Sequence, residues 1–355
     1  MNKLFTTIII LIINITVFTQ SKENSKAEAL AEKLLTDENL PGLSISIIRG
    51  DTILWSKGFG YADIIEKKPV TPDTRFRIGS LTKLFTAATA ARLSQEGLLD
   101  LDSPIQKYVP SFPEKGKTIT TRQLLGHLSG IRQYGRDEYI NTHHYSSVKE
   151  SLTIFKEDSL LFVPGNKYHY SSYGYVLVSA VIESVTKENF LHYLKDNLFD
   201  TLGLTSVSPD FNDTADTTQA KPYSSDSKNG WRVGPFNDNS NRWGAGGFLA
   251  TSLDMARFGS SLLTNNYLKD STLNVMFTSQ KTADNHKTGV GLGWRIAKDR
   301  EGNIYYHHGG DSIGGRAFLL IYPSKKVVVA MLANLTFAQF GEKEALEFVR
   351  LFSTD

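Results

Sequence analysis

Hydrophobic side chains near the start of the chain recur first at a helical period and then at a strand period. Apolar residues three and four positions apart predict an amphipathic helix over Glu23–Leu35, which has to end before Pro41. Alternating residues then predict the strands Leu43–Ile48 and Thr52–Gly58, with a turn at Gly50 between them. This part of the chain therefore predicts a helix followed by a β-hairpin.

The C-terminal part shows the same combination in the reverse order. Four β-rich runs precede a final helix at about Gly341–Phe352, and they are Val290–Ala297, Ile304–His308, Ala317–Tyr322 and Val327–Asn334. The region between, roughly Leu81–Leu263, is mostly helical in pattern and is interrupted by Gly, Pro and Asn. The predicted fold class is α/β of the α+β type: one antiparallel sheet built from both termini and flanked by helices, with a mostly helical subdomain inserted.

The N-terminus is predicted to be a targeting segment. Lys3 precedes the apolar stretch Leu4–Phe18, which is typical of a secretory signal peptide over 1–19 and is short for a bilayer span. An uncleaved anchor is the alternative, and the expected location is periplasmic or secreted. Residues 20–355 are then one domain, with a sheet subdomain at about 24–75 and 285–355 and a helical subdomain at about 76–284.

Composition narrows the chemistry that this fold can carry. The 355 residues include no Cys, which excludes disulfides, thiol nucleophiles, iron–sulfur clusters and Cys-ligated zinc. Lys and Arg number 39 against 37 Asp and Glu, so no basic excess indicates a nucleic-acid partner. A covalent nucleophile would have to be Ser, Thr, Tyr, Lys or a carboxylate.

The strongest chemical signal is Ser80, three residues before Lys83 at the start of an Ala-rich apolar helix. Residues three apart share one helix face, and a partly buried lysine that loses its proton can activate a neighbouring hydroxyl. The helix N-terminus adds backbone N–H groups suited to an oxyanion. The alternative interpretation is a helix cap beside a surface lysine.

Two later segments supply further candidates. Tyr170 is predicted to lie in a loop ahead of the apolar helix Val176–Val185, where a phenol acts as a base only beside cations and aromatic packing is the alternative. His307 and His308 sit on a predicted strand, so their side chains point to opposite faces and make a poor metal chelate.

A competing nucleophile motif, G-x-S-x-G, occurs at 310–314 around Ser312. In α/β-hydrolases the catalytic His follows the Ser in the chain, and every His of this sequence precedes Ser312. Chain order therefore argues against Ser312 as the nucleophile.

Taken together and in this order, three short motifs resemble the boxes of the penicillin-recognising serine hydrolases, which include class C β-lactamases and D-Ala-D-Ala carboxypeptidases. The motifs are Ser80-x-x-Lys83, Tyr170-Ser171-Ser172 and His308-Gly309-Gly310. The resemblance spans roughly residues 38–350 and includes the segments 124–131 and 244–251. The stretches 101–115 and 127–132 resemble the mitochondrial serine β-lactamase-like branch of animals.

The resemblance implies acyl-enzyme chemistry on a small acyl or peptide substrate, without a cofactor or metal. The implied catalytic residues are Ser80 as nucleophile, Lys83 and Tyr170 as shared base, and His308 as electrostatic support for Tyr170 and a contact for a substrate carboxylate. The implied oxyanion and substrate-binding residues are Ser80, Asp311, Ser172, Gly309 and Gly310. Membrane contact is expected only through an uncleaved N-terminal anchor.

Two departures from the family pattern shape the expected activity. The family's Asn is Ser172 here, and its third-box Lys is His308, whose charge is expected to depend on pH near neutrality. Both changes favour a peptidase or esterase over an efficient β-lactamase. The alternative is a non-catalytic scaffold or binding protein that keeps the fold.

Overall fold

The computed structural model describes residues 22–353, apart from 213–215, 229 and 265–266. The predicted signal peptide therefore lies outside the described residues. Across the part of the chain that is described, no helix is both long enough and apolar enough to cross a membrane.

A seven-stranded antiparallel sheet joins the two ends of the chain. The strands of the protein are, in chain order, β1 (Gly42–Arg49), β2 (Thr52–Asp63), β3 (Lys68–Pro69), β4 (Phe76–Arg77), β5 (Ser208–Pro209), β6 (Tyr223–Asp226), β7 (Gly230–Val233), β8 (Phe248–Ala250), β9 (Arg295–Lys298), β10 (Ile304–Ser312), β11 (Gly315–Tyr322) and β12 (Val327–Ala333). The large sheet has the order β3-β2-β1-β12-β11-β10-β9, so that β1 pairs with β12. The predicted hairpin and the predicted antiparallel sheet from both termini are confirmed.

Helices cover both faces of this sheet. They are α1 (22–37), α2 (Thr82–Gln95), α3 (Thr121–Leu125), α4 (Val148–Ser151), α5 (Ser172–Thr186), α6 (Phe190–Leu194), α7 (Trp243–Gly246), α8 (Ser252–Leu263), α9 (Asp270–Met276) and α10 (Glu342–Leu351). The middle of the chain is mostly helical, as predicted, although it also holds the small sheets β4-β8-β5 and β6-β7.

Both faces of the central strands are buried, which explains their nearly continuous apolar sequences. On β12, Val328, Ala330 and Leu332 join the core that contains α2, α5 and α8. The alternate residues Val327 and Val329 join the second core, which α1 and α10 cover. Since successive side chains of a strand point to opposite faces, one strand connects the two cores.

The strand predicted over Val290–Ala297 is wrong in its first half, because β9 begins only at Arg295. The alternation of Val290, Leu292 and Trp294 reflects burial of all three side chains within an irregular segment. A Cβ on the intervening Gly291 would lie 2.1 Å from the Met276 carbonyl oxygen, so the backbone itself packs against the core there. Apolar side chains at every second position thus produce a strand-like pattern, although the segment forms only an isolated bridge, between Val290 and Arg295, and no regular strand.

Candidate active site

Ser80 lies in the single 3₁₀ turn Gly79–Leu81, immediately before α2. Gly79 has a φ of +51°, and a Cβ there would lie 2.4 Å from the Asp311 carbonyl oxygen. Only glycine fits both this left-handed conformation and this close approach of two backbones. The result is that the backbone of β10 at Asp311 packs directly on the turn that carries Ser80.

Lys83 occupies the first turn of α2 and is completely buried. Its Nζ lies 3.1 Å from Ser80 Oγ and 2.7 Å from the carbonyl oxygen of Ala245 on α7. Burial lowers the pKa of Lys83 well below its usual range, and the positive charge of Arg242 lowers it further. Burial therefore favours the uncharged form of the Lys83 amine, which lies one helical turn from the serine hydroxyl.

Tyr170 is placed beside this pair by the loop that precedes α5. The Lys83 Nζ lies 5.0 Å from the centre of the Tyr170 ring. Burial raises the pKa of Tyr170 above its usual range, although a hydrogen bond with the Ser80 side chain opposes that shift. Tyr170 is thus a neutral phenol in contact with Ser80.

His127 belongs to none of the three catalytic motifs, but its side chain contacts Tyr170. Its ring centre lies 4.4 Å from that of Tyr170, and its Nδ1 accepts a hydrogen bond of 3.2 Å from the Ser171 backbone N–H. Burial lowers the pKa of His127 well below its usual range, so the ring is neutral and accepts this bond. His127 therefore fixes the position of the loop that carries Tyr170.

His308 also lies at the site, but the expectation that its charge depends on pH near neutrality is wrong. Its side chain is buried, and its ring centre lies 6.1 Å from that of Tyr170. Burial, reinforced by Lys83 and Arg295, lowers the pKa of His308 to about 3. His308 Nδ1 lies 2.6 Å from the Gly309 carbonyl oxygen, which suits a neutral ring donating its Nδ1–H. The sequence pattern does not show how deeply the strand is buried, so it could not reveal the lowered pKa of His308.

The neutral state of the His308 ring can be tested by NMR and by its effect on stability. We expect its ring to stay neutral between pH 8 and 5 in ¹⁵N NMR spectra, whereas a solvated histidine titrates near 6.5. Because the folded pKa lies below the unfolded value, the unfolded state binds the proton first. Stability should therefore fall as pH drops from about 6.5 towards about 3. When the pH is lowered to 4.5, urea denaturation should show a smaller loss of stability for His308→Gln than for wild type. Titration of His308 near pH 6.5 in the NMR spectra would contradict the prediction.

Ser172, the first residue of α5, also lines the cleft, although it is held by neighbours other than Lys83. Its backbone N–H donates to Gln133 Oε1 at 2.6 Å. Its side chain hydrogen-bonds with Tyr134, whose pKa is raised chiefly by burial. The hydroxyl at this position is thus tied to the loop that follows α3.

The two glycines after His308 differ in how tightly their surroundings fit. A Cβ at Gly310 would lie 2.0 Å from the Ile78 carbonyl oxygen and 3.1 Å from the Leu81 nitrogen. At Gly309 the nearest atom would be Arg316 Nη1 at 3.5 Å, an ordinary contact. Gly310 therefore allows the sheet to approach the Ser80 turn, whereas Gly309 has room.

A matched pair of variants tests this close approach. We expect Gly310→Ala to lower the free energy of unfolding by about 3 kcal/mol, because neither backbone can move without disturbing the sheet or α2. Gly309→Ala should cost less than about 1 kcal/mol. Urea denaturation followed by circular dichroism measures both values, and equal losses would contradict the contact.

These residues meet in a cleft of about 470 Å³. Its lining includes Ser80, Tyr170 and His308, together with Arg242, so the cleft reaches the serine that precedes α2. Among the described residues, no group of three or more His, Asp or Glu side chains is arranged to hold a metal ion.

Sequence reasoning missed Arg242, Tyr134 and His127 as parts of this site. The Arg242 guanidinium lies 4.7 Å from the centre of the Tyr134 ring and is buried in the wall of the cleft. The available signal was its position just before the Gly244–Gly247 turn, whose Ala245 carbonyl accepts from Lys83. Single arginines and tyrosines carry no motif, so only the tertiary packing brings them into view.

Comparison with known proteins finds a matching family and a similar animal protein. The chain matches the family described as Beta-lactamase over residues 27–352. It is 27% identical over 402 aligned positions to the human serine beta-lactamase-like protein LACTB, mitochondrial, covering 87% of this chain and 73% of that protein.

Two solved structures share the fold over most of the chain. An octameric penicillin-binding protein homologue from Pyrococcus abyssi is 28% identical with a TM-score of 0.81, covering 92% of this chain and 76% of that one. A D-stereospecific amidohydrolase from Streptomyces sp. is 25% identical with a TM-score of 0.75, covering 95% of this chain and 98% of that one.

Proposed function

The chain belongs to the Beta-lactamase family, and on that basis we propose that it is a serine hydrolase that cleaves ester or amide bonds through an acyl-enzyme on Ser80. The observation that carries the proposal is the 3.1 Å distance between Lys83 Nζ and Ser80 Oγ, with the lysine fully buried. Within the described residues Lys83 forms no ion pair, so no carboxylate favours its charged form. An uncharged amine at hydrogen-bond distance is the arrangement that activates a serine hydroxyl.

The proposed first step gives Lys83 the role of general base. Its Nζ donates to the Ala245 carbonyl oxygen, which leaves the nitrogen lone pair free to accept the Ser80 proton. Ser80 Oγ then attacks the substrate carbonyl carbon. The neutral Tyr170 hydroxyl contacts Ser80 and passes the proton from Lys83 to the leaving group.

The negative charge that develops on the carbonyl oxygen needs donors in a fixed position. The backbone N–H groups of Ser80 and Asp311 are proposed for this role, since Gly79 packs against Asp311 and keeps the two backbones together. Gly310, which packs on the same turn, maintains this geometry. Because backbone donors are held by the fold, they need no rearrangement during the reaction.

A water molecule then releases the acyl group and regenerates Ser80, with Lys83 again accepting a proton. Peptide and ester substrates are proposed ahead of β-lactams for two reasons. Position 172 offers a hydroxyl where the family has an amide, and His308 is neutral where the family has a charged lysine. The similarity to a D-stereospecific amidohydrolase supports an amide or ester substrate.

The competing proposal is a scaffold that keeps the fold without catalysis. Covalent labelling of the purified protein with a fluorophosphonate separates the two, because only an activated serine reacts. We expect a single modified peptide containing Ser80, together with hydrolysis of 4-nitrophenyl esters. An unmodified protein that hydrolyses neither esters nor D-amino-acid amides would support the scaffold.

A further inference from the structure

Two aromatic side chains from distant parts of the chain meet at the cleft. Tyr139 belongs to the loop between α3 and α4, in the inserted helical region, and Phe337 belongs to the connection between β12 and α10. Their rings are nearly parallel, with 5.7 Å between the ring centres and an angle of 23° between the planes. Both residues line the cleft that Ser80 also lines. These two residues, the aromatic pair, therefore connect the helical wall of the cleft to the sheet wall.

Two features of Phe337 lower the stability of the fold. Its backbone has a φ of +56°, a left-handed conformation that favours glycine. Its side chain is 55% exposed, although the neighbouring Leu335 and Ala338 are buried. Glycine at this position would relieve the backbone strain and remove the exposed apolar surface. The stability of the fold therefore does not explain why a phenyl ring is placed here.

The backbone around Phe337 is held by hydrogen bonds on both sides. The Thr336 backbone N–H donates to the Tyr223 carbonyl oxygen at 2.9 Å, and Thr336 Oγ1 accepts from the Gly314 N–H at 2.7 Å. Gln339 Nε2 donates to the Phe337 carbonyl oxygen at 2.7 Å. Because the ring both lines the cleft and is exposed to solvent, it lies at the opening of the cleft.

Tyr139 contributes its ring to the aromatic pair and not its hydroxyl group. The hydroxyl oxygen is buried and has no hydrogen-bond partner within the described residues, which is unfavourable for stability. The Tyr139 carbonyl oxygen accepts a hydrogen bond of 3.0 Å from Arg242 Nη2, and the guanidinium carbon lies 5.9 Å from the ring centre. Phe337 and Arg242 thus both pack against the Tyr139 ring, which leaves little of it for a ligand.

An aromatic pair at the opening of a cleft either binds an apolar group or excludes a bulky one. The parallel arrangement favours exclusion, because each ring turns one face to the other ring and withholds it from a ligand. The cleft has a volume of about 470 Å³. Since small-molecule sites range from roughly 300 to 1,000 Å³, this is a compact site, and its opening limits what reaches Ser80.

From these observations we propose that the aromatic pair is a steric barrier that restricts the cleft to compact acyl substrates. The inference rests on the proposed hydrolase function and adds a substrate class to it: esters and amides without a bulky group near the reacting carbonyl. Larger compounds are excluded by collision with the Phe337 ring and not by a lack of catalytic groups. Removing the ring therefore admits bulky substrates, whereas removing a ligand-binding surface would weaken their hydrolysis.

The first experiment compares bulky and small esters in wild type and Phe337→Ala. One pair, 4-nitrophenyl 4-biphenylacetate and 4-nitrophenyl acetate, places the bulk on the acyl side. The other pair, 4-biphenylyl acetate and phenyl acetate, places it on the leaving group. The quantity compared is the ratio of kcat/KM for the bulky and the small ester, because the intrinsic reactivity of each ester is the same with both proteins.

We expect Phe337→Ala to raise this ratio by about tenfold or more in at least one pair. If Phe337→Ala is poorly folded, Phe337→Gly takes its place, because glycine adopts the left-handed backbone without strain. A ratio that rises in neither pair would overturn the proposal, and a fall in both pairs would identify Phe337 as a binding surface instead.

Two matched variants show whether the ring at the cleft is responsible. Phe211→Ala removes an aromatic side chain that is 62% exposed and packs on Trp243, outside the lining of the cleft. Tyr139→Phe keeps the ring and removes the unpartnered hydroxyl. Both variants should leave the ratio within about threefold of wild type. An increase with Phe211→Ala as large as that with Phe337→Ala, or a tenfold increase with Tyr139→Phe, would contradict the barrier.

An accessibility measurement keeps this inference separate from the hydrolase proposal. The chain contains no Cys, so Ser80→Cys carries a single thiol at the position of the nucleophile. Its alkylation rates with N-methylmaleimide and N-benzylmaleimide are each divided by the rate of the same reagent with glutathione. We expect the bulkier reagent to react about tenfold more slowly or less at Ser80→Cys, and Phe337→Ala in the same chain to remove most of this difference.

The two proposals fail in different ways in this measurement. Size-dependent alkylation that Phe337→Ala relieves, without ester hydrolysis by wild type, would reject the hydrolase alone. Ester hydrolysis by wild type, with equal normalised alkylation rates for the two maleimides, would reject the barrier alone.

Discussion

Replacing Ser80 by alanine is expected to lower kcat/KM for 4-nitrophenyl ester hydrolysis by about 10⁴-fold or more, because among the described residues Ser80 has the one hydroxyl within hydrogen-bond distance of the Lys83 amine. Lys83 Nζ lies 3.1 Å from Ser80 Oγ, and its second contact is a backbone carbonyl that cannot act as a nucleophile. The substitution removes one oxygen from a half-buried side chain, so the fold should survive. Steady-state kinetics and circular dichroism measure the two effects.

Ser312→Ala is the matched control for this prediction. Ser312 lines the same cleft and lies in the second candidate motif, at the end of β10. Hydrolysis and fluorophosphonate labelling should both persist in Ser312→Ala and both disappear in Ser80→Ala. Full activity of Ser80→Ala, or labelling that follows Ser312, would contradict the assignment of the nucleophile.

The local parts of the site could be predicted from the sequence. Ser80 and Lys83 are three residues apart, and the structure places them in one turn at the start of α2, as the helical period requires. Tyr170 was expected in a loop before a buried helix, and α5 begins two residues later. Short-range geometry of this kind depends on the backbone period alone.

The parts of the site that depend on burial could not be predicted. From the sequence alone, a histidine can only be assigned its solution pKa of about 6.5. The packing around His308 lowers its pKa to about 3. Arg242 likewise resembles any surface arginine until the fold encloses it between Tyr134 and two backbone carbonyls. Desolvation is a property of the whole fold, so no local motif encodes it.

Among the pKa values that burial changes in this site, the lowered pKa of Lys83 has the largest expected effect on activity and stability. A buried amine with a lowered pKa is a base that the fold provides at the expense of stability, since the protein would be more stable if water could solvate the ammonium. Replacing Lys83 should therefore change both the rate of hydrolysis and the pH dependence of folding.

We expect Lys83→Met to reduce kcat/KM by about 10²- to 10⁴-fold, the usual contribution of a general base. The stability effect has a definite sign. Between the lowered folded pKa of Lys83 and the unfolded value of 10.5, the unfolded chain binds a proton that the folded protein does not. Wild type should therefore gain about 1.4 kcal/mol of stability per pH unit, relative to Lys83→Met, as pH rises through that range.

Urea unfolding of wild type and Lys83→Met at several pH values between 7 and 10 measures this difference. Lys149→Met is the matched control, because Lys149 is exposed on α4 and does not line the cleft. The free energy of unfolding of Lys149→Met should follow that of wild type at every pH. The curves for wild type and Lys83→Met should converge or cross as the pH rises. Parallel curves for wild type and Lys83→Met would mean that Lys83 is protonated in the folded protein, and a protonated lysine cannot take the proton of Ser80.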